Sequence, residues 1–101
     1  FNAAAGLARH GDLSGKNVLL EMLDAESESV VAGEAYKSSY DFKRSVVATT
    51  AIDAVSALSK HHETSELLEL ISAIKVAAES EAFGGKAKVL AKELLISIEK
   101  P

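Results

Sequence analysis

Apolar residues recur every three or four positions along most of the chain, as expected for helices that bury one face. The stripe is widest in the longest such stretch, residues 42–60, which predicts a helix covered on two sides. The apolar positions of that stretch are Val47, Ala48, Ala51, Ile52, Ala54, Val55 and Leu58.

Four shorter stretches carry the same spacing, and turn residues separate them. Gly11 and Asp12 are suited to a tight turn, in which we expect Gly11 to be left-handed and Asp12 to bond nearby backbone N–H groups. Gly84–Gly85 ends the segment before the last stretch. Asp41 and Thr64 are suited to cap the helices that follow them. The pattern therefore predicts an all-α chain of about five helices without a convincing strand. The other predicted helices are 1–10, 13–23, 65–80 and 86–99.

Residues 24–41 are polar and acidic at their start, and they contain Gly33 and four serines. They predict a long connection with a helical turn around residues 30–36. The chain's two tyrosines, Tyr36 and Tyr40, both lie in this connection. Exposed aromatic side chains anchor interfaces, so these two are possible partner-contact residues. Docking of the connection onto the helices is the simpler alternative, and we favour it.

A short motif occurs twice in the chain. LARHGD (7–12) is followed by LLEML, and LSKHHE (58–63) is followed by LLELI. The offset is 51 residues in the motif and 48 in the helix after it, close to the period of repeats built from helical hairpins. One hairpin cannot bury its apolar face alone, so such units stack and cover one another. The repetition predicts two structurally equivalent joints.

The first joint and its flanks, NAAAGLARHGD followed by VLLEMLD, resemble the bacterial HEAT-like repeat. The resemblance covers residues 1–23 well, whereas the second unit keeps the leucine pattern but loses Asn-Ala-Ala and Gly-Asp. The matching positions are Phe1, Asn2, Ala3, Ala4, Leu7, Ala8, Arg9, Gly11, Asp12, Val18, Leu19, Leu20 and Leu23.

The resemblance implies one domain, residues 1–101, folded as antiparallel helical hairpins stacked in a short HEAT-like (armadillo-type) α-solenoid. Unit one would span 1–23, the connection 24–41, unit two 42–80 and the final helix 86–99. That last helix has no partner within the chain. An exposed apolar stripe along Leu90, Leu94 and Ile98 would then allow self-association.

HEAT-like repeats imply a non-catalytic protein-binding or scaffolding module, here a segment of a longer chain, whose partner is another protein. Some HEAT-like proteins instead act on bound molecules, and these supply the alternative. Bilin lyases attach or remove chromophores, and one glycosylase group excises alkylated bases. The glycosylase version is disfavoured, because the chain has a net charge of −4 and no tryptophan.

The charge also bears on partners and compartment. Fifteen acidic and eleven basic residues are spread along the chain without a basic block, so we expect no nucleic-acid partner. No apolar run approaches the roughly 20 residues that span a bilayer, so we expect no membrane partner. There is no cysteine, which excludes disulfides. The chain lacks an initiator Met, so we expect an incomplete N-terminus, with a cytoplasmic location as the default.

The three histidines and one neighbouring glutamate are candidate metal ligands by residue type. His61, His62 and Glu63 are adjacent, and His10 occupies the matching joint. Deoxyhypusine hydroxylase, a HEAT-like enzyme, binds two irons through repeated His-Glu pairs, but this chain has one such pair, at a helix end. We therefore keep these four as weak metal or polar-contact candidates and predict no metal, no cofactor and no catalytic residue.

FGGKAK (83–88) resembles a phosphate loop. It lacks the first glycine of that motif and has Ala87 where a Ser or Thr would hold magnesium. A glycine stop followed by a new helix is the simpler interpretation.

Overall fold

The computed structural model describes residues 2–34, 36 and 39–99, and within these ranges the chain is all-α without a strand. The described residues include six α-helices, one more than predicted, and 3₁₀ turns at Leu13–Gly15 and Thr64–Leu67. The helices are α1 (Asn2–Arg9), α2 (Lys16–Met22), α3 (Glu28–Val31), α4 (Tyr40–Leu58), α5 (Leu68–Glu79) and α6 (Gly85–Glu99).

Helix α4 is the centre of the molecule. It packs against α1, α2 and α3, and also against α6. All seven apolar positions that the sequence assigned to its stripe are buried, which confirms the prediction of a helix covered on more than one side. The buried residues of α4 extend from Val47 to Leu58, and they belong to the same core cluster as the buried residues of its neighbours.

The other helices contact α4 or one another. Helix α1 contacts α4, α2 contacts α5, and α6 contacts both α4 and α5. The expectation that the last helix has no partner within the chain is therefore wrong. Leu94 is buried, and Leu90 and Ile98 are half-buried against the core, so the stripe expected for self-association is covered by the chain's own helices.

Helix α1 approaches its neighbours closely because its buried side chains are all alanines, Ala4, Ala5 and Ala8. Gly15, in the 3₁₀ turn before α2, lies against it. A Cβ added to Gly15 would stand 2.9 Å from the Cβ of Ala4 and 3.0 Å from its Cα. Small residues on both sides therefore allow the first two helices to pack at short distance.

Several helix ends differ from the prediction. Helix α4 begins at Tyr40, so Asp41 lies in its first turn instead of capping it. Thr64 lies inside a 3₁₀ turn, and the preceding residue, Glu63, is the N-cap. Val18, which the sequence pattern places on one face of the predicted helix 13–23 with Leu19, Met22 and Leu23, is 37% exposed, whereas the other three are buried. The cap positions differ from the prediction because they depend on local hydrogen bonds and not on residue type alone.

The connection between α2 and α4 is docked where the structure describes it. Its short helix α3 lies slightly earlier than the predicted turn, and it buries Val30 and Val31. Arg44 Nη1 donates a hydrogen bond to the carbonyl of Ser27 at 2.8 Å, which ties the connection to α4. The favoured interpretation, in which the connection packs onto the helices, is confirmed for these residues.

Candidate functional site

The two repeated joints contact each other. Nε2 of His62 lies 2.6 Å from the carbonyl oxygen of Gly11, and because a carbonyl only accepts, the imidazole donates this hydrogen bond. Gly11 has φ +83°, as predicted for the left-handed residue of this turn. The two residues are 51 positions apart, which is the offset of the repeated motif. Matching positions of the two motifs are therefore joined directly.

The second nitrogen of the same imidazole faces a carboxylate. Nδ1 of His62 lies 3.3 Å from Oε2 of Glu66. Glu66 is held in place by a capping box, in which its side chain accepts from the backbone N–H of Glu63 at 3.2 Å. Both ring nitrogens can donate only when His62 is protonated, so the cationic form fits this site best.

Hydrogen bonds at the joint shift the pKa values of three side chains. The Gly11 carbonyl, and then Glu66, raise the pKa of His62 above its ordinary value. The backbone N–H of Glu63, and then His62, lower the pKa of Glu66. The Ser14 backbone N–H, which lies 2.8 Å from Oδ1 of Asp12, lowers the pKa of Asp12. The predicted bonding of Asp12 to nearby backbone is confirmed.

A salt bridge forms a second link between the two halves. Nζ of Lys16, at the start of α2, lies 3.0 Å from Oε1 of Glu69 in the first turn of α5. Both side chains are partly exposed, so this contact between α2 and α5 contributes little to stability.

The four weak metal candidates do not converge on one point. Within the described residues, no group of three or more His, Cys, Asp or Glu side chains is placed to hold a metal ion. His61 packs over Gly11, because a Cβ added to Gly11 would stand 2.9 Å from Cγ of His61. Glu63 caps a helix turn, His10 is exposed, and only His62 makes a polar contact between the joints. The polar-contact role therefore applies to His62.

The two tyrosines occupy different environments. Tyr36 is 74% exposed, whereas Tyr40, in the first turn of α4, is half-buried and packs against the core. Of the two possible partner-contact residues, only Tyr36 offers most of its ring to solvent.

Sequence reasoning missed an exposed apolar pair on α4. Phe42 is 74% exposed and Val46, one turn later, is 47% exposed. Both residues lie in the predicted helix, but apolar spacing alone does not reveal which side of a helix lacks a neighbour. Their exposure is visible only after the positions of α1 and α6 are known.

Gly84 and Gly85, the two glycines of FGGKAK (83–88), lie at the start of α6. Gly85 begins this helix, and α5 ends earlier at Glu79, so the glycines open a helix instead of closing one. The N–H of Gly84 donates a hydrogen bond to Oγ of Ser45 at 2.6 Å. That N–H group is therefore bonded within the chain. The new helix that the simpler interpretation of FGGKAK expects is present, whereas the glycine stop before it is wrong, because α5 already ends at Glu79.

A cavity of about 810 Å³ lies beside α3 and the start of α4 and is open to solvent. Its lining is mainly polar and includes three glutamates and one arginine. The lining residues are Glu26, Glu28, Ser29, Val31, Ala32, Gly33, Glu34, Tyr40 and Arg44.

Comparison with models of protein families, with curated proteins and with solved structures finds no match for this chain. Among the described helices, none is both long enough and apolar enough to cross a membrane.

Proposed function

We propose that the chain is a protein-binding or scaffolding module built as a short HEAT-like solenoid. In this arrangement α1 and α4 are the first helices of two stacked units, and α2 and α5 are the second helices. Helix α6 then corresponds to the first helix of a third unit, since it contacts α4 and α5 as α4 contacts α1 and α2.

The observation that carries this proposal is the hydrogen bond between His62 and Gly11. In stacked repeats, residues at the same position of neighbouring units lie side by side. Two residues separated by the motif offset are here 2.6 Å apart. A helical bundle without repeats would join such positions only by coincidence.

The proposed protein-binding function is supported by the side chains that remain exposed when the helices pack. At the joints, Asp12 and His62 are hydrogen-bonded within the chain, and no described group of His, Asp or Glu side chains is placed to hold a metal ion. Exposed aromatic and aliphatic side chains remain, among them Tyr36 and Phe42. Such side chains anchor protein partners.

The sequence also left open a ligand-handling protein of the lyase type. The cavity beside α3 has the volume of a small-molecule site. Its lining includes Glu26, Glu28 and Glu34, whereas pockets for organic ligands are predominantly apolar. We therefore prefer the protein-binding function.

The test is crosslinking in the source cells with the full-length protein carrying an affinity tag, followed by purification under denaturing conditions. We expect a discrete covalent protein adduct that disappears in Ile74→Asp, because a charge at this buried position unfolds the module. Adducts no stronger than those of Ile74→Asp would contradict the proposal. Native mass spectrometry of the purified protein showing a bound small molecule would instead favour the alternative.

A further inference from the structure

The exposed pair on α4 lies between two shallow cavities. One of about 360 Å³ is lined by Phe42, Ser45, Val46, Thr49, Thr50 and Lys86. The other, of about 320 Å³, is lined by Asn2, Met22, Lys43, Val46, Val47 and Thr50. Val46 and Thr50 line both, so they form a ridge between them. We call the exposed surface around this ridge the α4 patch, made of Phe42, Val46, Thr50, Lys43 and Lys86.

The floor of the patch offers few free polar groups. The hydroxyl of Thr49 donates to the Ser45 carbonyl at 2.8 Å, and that of Thr50 donates to the Val46 carbonyl at 3.1 Å. Because these hydroxyls are used within the helix, the patch presents mainly carbon atoms. A ligand would gain apolar contact here more than directed hydrogen bonds.

The charged side chains that line the two cavities are both positive. Lys43 and Lys86 each line one of the cavities, and no carboxylate lines either of them. Neither lysine forms an ion pair with a described residue, unlike Lys16, Lys75 and Lys88. The nearest carboxylates along α4, Asp41 and Asp53, lie outside both linings. In a chain of net charge −4, this is a local positive site on an acidic protein.

From this combination we infer that the α4 patch docks an acidic amphipathic segment of a partner protein, with its apolar side chains on Phe42 and Val46 and its carboxylates beside Lys43 and Lys86. The inference rests on the proposed protein-binding function and names the partner's chemistry. Apolar contact supplies the affinity, and the two lysines select acidic over basic segments. The remaining acidic surface repels such a segment and favours this one position.

The test uses two fluorescent peptides of about 12 residues, which span about 18 Å as helices. Both carry Leu and Phe at i, i+4, and their other outward positions are all Glu in one and all Lys in the other. Fluorescence anisotropy with the full chain should show the Glu peptide binding about tenfold more tightly, as expected for two solvent-exposed ion pairs. Salt should reduce the difference.

Substitutions test whether the peptide binds at the α4 patch. Phe42→Ser should weaken the Glu peptide about tenfold, since an exposed aromatic anchor is lost, whereas Val76→Ser, at an exposed valine on α5, should not. Lys43→Glu with Lys86→Glu should reverse the preference and bind the Lys peptide more tightly than the natural chain does. Lys60→Glu with Lys75→Glu changes the net charge equally and should not reverse it.

Equal affinity for both peptides, no binding of either, or binding indifferent to the patch variants would overturn the inference. So would self-association of the natural chain that Phe42→Ser abolishes in light scattering, because a second copy would then cover the patch. If peptide binding fails while the cellular adduct of the preceding section persists, only the surface assignment is wrong. If the adduct is also absent, the protein-binding function fails as well.

Discussion

The ring of His61 lies directly over the backbone of Gly11, so that a Cβ added to this glycine would stand 2.9 Å from Cγ of His61. The same glycine has φ +83°, where side chains with a Cβ are strained. Two independent reasons therefore require glycine at this joint.

We predict that Gly11→Ala lowers the free energy of unfolding by about 2 to 4 kcal/mol, combining backbone strain with a steric clash. Gly33→Ala is the matched control, because Gly33 has φ +89° but no atom within 4 Å of an added Cβ. It should cost only about 1 to 2 kcal/mol. Urea denaturation measures both, and equal losses would show that the contact with His61 adds nothing.

Substitutions at Gly15 and Gly6 distinguish the effect of close packing on stability from the effect of helix propensity. Gly15→Ala places a Cβ 2.9 Å from that of Ala4 and should destabilise by about 1 to 3 kcal/mol, because α1 must move away. Gly6, inside α1, has open space around an added Cβ, so Gly6→Ala should stabilise by about 0.5 to 1 kcal/mol. Thermal denaturation of both variants checks this, and the same sign of change in both would contradict the packing described here.

Stability should depend on pH through His62. Its pKa is raised from an ordinary value of 6.5 by the Gly11 carbonyl and Glu66, so protonation stabilises the folded chain. This contribution is complete below about pH 6.5, the unfolded value. It is lost as the pH rises through the raised pKa of the folded state. Urea midpoints at successive pH values should therefore fall above neutrality.

His62→Gln should flatten that pH dependence, since an amide keeps one hydrogen bond to Gly11 but does not titrate. His10→Gln is the control, because His10 is exposed and has no described partner. A natural chain whose midpoint does not change between about pH 6 and 9 would rule out the protonated joint.

The salt bridge between α2 and α5 should contribute little energy. A double-mutant cycle on Lys16→Ala and Glu69→Ala is expected to give a coupling of about 0.2 to 1 kcal/mol, because both side chains are partly exposed. The longer pair Lys75–Glu99, at 3.8 Å, provides a comparison and should couple less. A coupling above about 2 kcal/mol would mean that Lys16 and Glu69 are better shielded than their exposure indicates.

The helices and the core of α4 were predictable because burial on a helix imposes a period of 3.6 residues, and Val47 to Leu58 follow it. The left-handed Gly11 was predictable from turn chemistry. The pairing of α6 with both α4 and α5 was not, since tertiary contacts leave no local signal. The role of His62 lay between these cases: the motif offset relates it to Gly11, but only the packing of the helices brings the two residues together.

The central position of α4 also constrains how the chain acquires its structure during synthesis. The buried side chains of α1 and α2, such as Leu19 and Met22, precede α4 in the chain and belong to helices that contact it. Among the described residues, their cover comes from α4, because two short helices bury too little surface to protect each other. Within this segment, synthesis through Leu58 therefore supplies the first half of the structure with its protection from proteases and from aggregation.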